Sequence, residues 1–168
     1  VPTRKLLEDS YHFWYIGKSY YDSTLGEYPL GMDHIREYAR RSIFYFGQYL
    51  NFKHDYHNTG QAKQMDELAY FALYAMGDMF KLCGNYEKAL DCGMKAEEFA
   101  PPRNEHIVLQ AECYKDLNDF DSMKVQTDRL MDPNRKLPFP EFNFLLNMEH
   151  YNDSGKYCEQ LHQIANQV

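Results

Sequence analysis

Two short strings gather the side chains that could do chemistry. In "CGNYEKALDCGMKAEEFAPPRNEH", residues 83–106, two cysteines, five carboxylates and His106 fall within 24 positions. A thiol nucleophile needs a neighbouring base or a metal to hold it as thiolate. Cys83 ends one expected helix and Cys92 lies inside the next, and neither is spaced to meet a histidine. The four cysteines, Cys83, Cys92, Cys113 and Cys158, form no C-x-x-C pair. They read as small apolar residues of a reducing compartment rather than as a disulfide framework or metal site. The second string, His54-Asp55-Tyr56-His57, sets two imidazoles three apart around a carboxylate. No third ligand is evident, and the polar run 51–64, "NFKHDYHNTGQAKQ", reads as a solvated loop. The acid pairs Asp66-Glu67 and Glu97-Glu98 fall on polar helix faces, where nothing separates an acid from a base. No Gly-rich phosphate loop, nucleophile elbow or dinucleotide fingerprint occurs. The residues predict no catalytic site, no bound metal and no cofactor.

The totals point the same way. Eighteen Lys and Arg against 25 Asp and Glu give a net charge of −7, unsuited to a general nucleic-acid binder. Arg36, Arg40 and Arg41 form the one basic cluster and read as a solvated helix face. No apolar run approaches the roughly 18 residues of a membrane span. The chain opens on Val1-Pro2-Thr3-Arg4-Lys5, without an initiator Met or an apolar signal segment. That predicts a piece of a longer, cytoplasmic polypeptide.

The elements that would carry these residues are helices. Leu68, Ala72, Ala75, Met76, Met79 and Phe80 share one helical face, and Tyr86, Ala89, Leu90, Gly93 and Ala96 another. Ile107, Ala111 and Tyr114, then Phe120, Met123, Thr127 and Leu130, continue the pattern; Phe144, Leu145 and Met148 open a last pair. Upstream, Ile35, Tyr38, Ala39, Ser42, Phe46, Tyr49 and Leu50 make a long stripe. The turns Gly84-Asn85-Tyr86, Asn118-Asp119-Phe120 and Asn152-Asp153-Ser154 recur every 34 residues. A fixed period of this length is the mark of a helical repeat array. About eight helices in four antiparallel pairs are expected, and no β-hairpin signal appears.

Residues 70–103 resemble the tetratricopeptide repeat (TPR). Leu73 stands at the large place, Met76-Gly77 at the Leu-Gly, Phe80 at the Tyr, Ala89 at the Ala, Ala96 at the second small place and Pro101 at the Pro. Gly93 departs at the Phe place. Gly77 and Ala89 would let two helices approach, Phe80 would fill between them, and Pro101 would end the second. Residues 104–137 keep size but not identity, 138–168 keep only the period, and 10–64 read as a divergent first repeat with long loops around Gly26, Pro29 and Gly31. The expected fold is all-α: one TPR-like superhelical domain over 1–168, an α-α solenoid.

The resemblance implies an interaction or scaffold module without catalysis. Its concave side, lined by the first helix of each pair, would carry Tyr11, Trp14, Tyr15, Lys18, Tyr74, Asp78, Lys81, Glu105, Val108 and Glu112, with Phe139 and Phe142 extending it. Such aromatics would anchor a protein or peptide partner; inserted loops or a neighbouring domain covering them is the alternative. Repeat domains that clamp chaperone carboxyl termini use Lys and Asn where this chain has Tyr74, Ala75, Asp78, Glu105 and Leu109, so that function is disfavoured. Trp14 to Asp22 and the Pro101-to-Glu105 junction also resemble the helical-repeat region that follows the catalytic domain in some family 2 glycosyltransferases. That likeness covers most of residues 10–120 and includes neither the nucleotide-sugar domain nor its Asp-x-Asp motif. It implies the C-terminal part of a larger glycosyltransferase, holding an acceptor, a partner enzyme, a catalytic domain of the same polypeptide or a second copy of itself. A stand-alone adaptor binding a peptide in its concave groove is the competing expectation.

Overall fold

Six stretches of chain adopt α-helical backbone in the computed structural model, which describes residues 4–26, 32–55, 62–99, 103–132 and 134. They are α1 (Arg4–Gly26), α2 (Met32–Asp55), α3 (Ala62–Leu82), α4 (Tyr86–Ala96), α5 (Glu105–Asp116) and α6 (Phe120–Leu130), with one 3-10 turn at Glu97–Phe99. The described residues contain no strand, and the protein is all-α over that span. The chain divides into two compact units, Val1–Pro101 and Pro102–Val168, at the double proline. The expected last pair at 138–168, with Phe139, Phe142, Cys158 and the third turn at 152–154, lies outside the described residues.

In the first unit α1 packs on α2, α2 on α3, α3 on α4, and α1 also reaches α3. Side-chain pairs give the directions. Gly17 meets Phe46 while Tyr20 meets Tyr38, so α1 and α2 run antiparallel. The Trp14 indole N–H donates to the Leu68 carbonyl at 3.0 Å and the Tyr21 hydroxyl donates to Asp78 at 2.9 Å, so α1 and α3 run parallel. The core interleaves large and small residues. Trp14, Tyr21, Phe46 and Tyr49 come from α1 and α2, and meet Ala69, Ala72, Ala75 and Met79 of α3. The alanines let the neighbouring helices close in, and each aromatic ring taken out of water contributes about 1.5–3 kcal/mol. Gly17 serves the same end: a Cβ there would lie 3.0 Å from the Phe46 ring. The buried Ser42 hydroxyl donates to the Gly17 carbonyl at 3.0 Å, so the close approach leaves no orphaned hydroxyl.

The 34-residue period appears in backbone geometry. At the end of α3, Gly84 N–H donates to Lys81 and Asn85 N–H to Phe80, at 3.0 and 2.9 Å. At the end of α5, Asn118 N–H donates to Lys115 and Asp119 N–H to Tyr114, again at 3.0 and 2.9 Å. Both are Schellman turns, with Gly84 (φ 79°) and Asn118 (φ 59°) in the left-handed conformation that ends the helix. The next residue then caps the following helix. Asn85 (φ −94°, ψ 75°) accepts from Lys88 N–H, and Asp119 (φ −93°, ψ 78°) accepts from Ser122 N–H. In the second unit α5 packs on α6, burying Ile107, Ala111 and Cys113 on one helix and Met123, Thr127 and Leu130 on the other.

The structure corrects the loop expected at 51–64. Helix α2 continues through Asp55 and α3 begins at Ala62, so His54 and Asp55 fall in the last turn of α2; Tyr56 and His57 lie outside the described residues. Polarity misled because polar residues can also be good helix formers: Ala62, Lys63, Gln64 and Met65 all are.

Candidate functional site

The residues expected to line one binding face are distributed over both units, and most are already engaged. Trp14 is buried at 7% exposure, held by its hydrogen bond to Leu68 and by the tilted Phe71 ring at 5.4 Å. Tyr15 is its opposite, 62% exposed, with its ring edge-on to Trp14. Tyr11 is half-buried, and burial raises its hydroxyl pKa. Lys18 pairs with Asp22 at 2.6 Å, one turn along α1. On α3, Tyr74 and Asp78 both hydrogen-bond Tyr21, a residue the sequence reading had not singled out. Burial first, and then the Asp78 carboxylate, push the Tyr21 hydroxyl far above its ordinary pKa, so it stays a neutral donor. Lys81 is half-buried at the end of α3, while Glu105, Val108 and Glu112 lie half-buried on α5 in the second unit. The α1 and α3 members thus mostly hold two parallel helices together, and Tyr15 is the aromatic left open.

A concavity lies elsewhere. Along the seam where α2 and α4 flank α3 runs a groove of about 890 Å³. Leu50 of α2, Leu73, Met76 and Phe80 of α3, Cys92 of α4 and Phe99 give it an apolar floor. Lys88, Asp91, Lys95 and Glu98 form a charged rim along α4. An absent side chain helps keep it open: at Gly47 on the α2 wall a Cβ would meet nothing within 4 Å. Phe80, expected to fill between the paired helices, is only half-buried, and the Lys88 ammonium sits 5.6 Å from its ring centre.

The thiol that lines this groove is held in its neutral form. Burial first, and then the adjacent Asp91, push the Cys92 thiol up to about 11, which keeps it protonated at neutral pH. Burial likewise raises the Cys83 thiol against the opposing pull of Arg40 and Arg36. Asp91 and Lys95 neutralise each other at 2.8 Å. Among the described residues no group of three or more His, Cys, Asp or Glu is placed to hold a metal ion, and no helix is long and apolar enough to cross a membrane. One sequence signal could have found the groove. Gly47 interrupts the aromatic run "IFYFGQYL" inside a helix, where no cap or turn explains it. No family model matches the chain, and no curated protein matches it.

Proposed function

We propose that this chain is a cytoplasmic, noncatalytic interaction module of TPR-like architecture, its helix pairs stacked as a superhelix. On this reading it serves as the C-terminal scaffold of a larger polypeptide such as a glycosyltransferase. The observation that carries the proposal is the pair of turns at Gly84-Asn85 and Asn118-Asp119, which share one hydrogen-bond pattern. Their hydrogen bonds, left-handed residue and cap repeat at a spacing of 34 residues. The parallel α1 and α3 with α2 antiparallel to α1 supports the same reading, since helix pairs stacked in this way expose long faces rather than enclosing a reaction chamber.

The test is photo-cross-linking from a benzophenone amino acid placed at Tyr15 and, separately, at Gly47 in the intact protein. One polypeptide recovered reproducibly from either position is the expected result. Absence of any adduct from both positions, together with substrate turnover by the chain itself, would overturn the reading. The reading frame decides the parent: an α/β nucleotide-sugar domain encoded upstream is expected, and a frame opening at the helices leaves the stand-alone adaptor in its place.

A further inference from the structure

We propose that the groove over α3 receives an amphipathic α-helix of about three turns from a partner chain, laid antiparallel to α4. The inference rests on the interaction-module reading and supplies its surface and the chemistry of its partner.

Three features select a helix. The first is what the walls can offer. The groove residues of α2, α3 and α4 belong to helices, whose backbone groups bond internally, so the trough presents no free ladder of amides and carbonyls. An extended peptide would bury its own backbone unpaired there, at about 1–3 kcal/mol per group. A helix arrives with those bonds already made. The second is length. Lys88 to Phe99 spans about 16 Å along the wall at 1.5 Å per residue, which is three turns of an occupant. Its apolar residues at i, i+3 or i+4, and i+7 would then meet Leu50, Leu73, Met76 and Phe99.

The third is charge. The central rim pair, Asp91 and Lys95, cancels itself. At one end the Lys88 ammonium lies over Phe80 with no carboxylate within 4 Å among the described residues, and at the other Glu98 has no described cation within 4 Å, although its field reaches Lys95. The rim is therefore a dipole, cationic near Lys88 and anionic near Glu98. A helix carries a partial positive charge at its amino end and a negative one at its carboxyl end. It matches the rim with its amino end at Glu98 and its carboxyl end at Lys88. That direction is antiparallel to α4 and opposes the dipole of α4 as well. A fatty acid would satisfy Lys88 but strip water from Glu98 without replacing it. A second copy of this chain fits less well, because none of its described helices exposes an apolar stripe. Among the described residues the exposed large apolar side chains are Tyr15, Leu25, Phe44, Met94, Leu117, Phe120 and Val125, and no two of them stand three or four apart on one helix.

The test uses the whole chain and a blocked-end synthetic 16-mer, stapled as a helix on its polar face, with leucines at the stated spacing. A scrambled peptide of the same composition is the control. Binding of the helical peptide, with amide shifts confined to 47–51, 73–80 and 88–99, is expected, and Gly47→Leu should weaken it at least tenfold. That variant fills space that is empty, so its circular dichroism should match the parent. A spin label on the amino end of the peptide should broaden the signals around Glu98. In the double variant Lys88→Glu, Glu98→Lys it should broaden those around residue 88 instead. Equal binding to Gly47→Leu, equal binding of the scrambled peptide, or label effects unmoved by the charge swap would overturn the proposal. Shifts gathered around Tyr15 and Tyr74 would overturn it while leaving the interaction-module reading standing. A concentration-dependent dimer occupying residues 47–51 would replace the partner helix with a second copy.

Discussion

Gly17 and Gly47 stand in helix interiors, and the structure gives their alanine variants opposite signs. At Gly17 a new Cβ would lie 3.0 Å from Cδ1 and Cγ of Phe46 and 3.2 Å from Cδ2. Carbon atoms prefer about 3.5–4.0 Å, so the ring must retreat by roughly half an ångström. It has little room, because Phe46 is fully buried with Trp14 at 6.2 Å and Phe71 at 6.1 Å between ring centres. Overpacking of this kind costs about 1–3 kcal/mol, and loosening the Ser42 bond to the Gly17 carbonyl adds about 1 kcal/mol. Alanine recovers about 1 kcal/mol of helix propensity, leaving Gly17→Ala destabilised by about 1–3 kcal/mol. At Gly47 only the propensity gain applies, so Gly47→Ala should stabilise by up to about 1 kcal/mol. Trp14 is the single tryptophan and belongs to the same cluster as Phe46, so urea denaturation followed by its fluorescence reads the first unit directly. With a slope of about 1–3 kcal/mol per molar urea, the two midpoints should separate by about 1 M at the middle of these ranges and by about 0.3 M at the least. Midpoints moving together, or Gly17→Ala moving upward, would refute the close-approach account.

The two Schellman turns make a second matched pair. Gly84→Ala meets no atom within 4 Å yet places a side chain at positive φ, which should cost about 1–2 kcal/mol in a thermal melt, while Asn118→Gly should be neutral or slightly stabilising. The caps differ in charge. Hydrogen bonds from the Ser122 hydroxyl and amide hold the Asp119 carboxyl below the ordinary aspartate range. A depressed carboxylate contributes fully above the unfolded-state value near 4, and its contribution is lost as pH falls through the lower folded value. The Ser122 amide shift should therefore titrate below pH 4 or so, and Asp119→Asn should abolish the step; a midpoint at or above the ordinary value would contradict the bonding.

Helix identity was legible because stripes such as Ile35, Ala39, Ser42, Phe46 and Tyr49 repeat at helical spacing, and all five are buried. The turns were legible because positive φ and side-chain capping select a few residue types, so Gly84-Asn85 and Asn118-Asp119 announce themselves. Surface assignment was harder. Trp14 was expected on a concave binding face, but a side chain of that size completes the core against Phe71 and Leu68. Phe120 shows the converse: it belongs to an apolar stripe yet is 41% exposed, because it opens α6 where the chain has just turned. The groove was harder to see because its α2 wall is marked by what is missing at Gly47, and an absent side chain adds nothing to a periodic stripe.

Each of the two turns closes its own carbonyls and amides, then caps the next helix with its own side chain. A 34-residue block bounded by such turns can therefore be duplicated or deleted without stranding a backbone donor or acceptor. Copy number becomes cheap to change in evolution, and what limits it is the apolar side-chain face each end must find a way to cover.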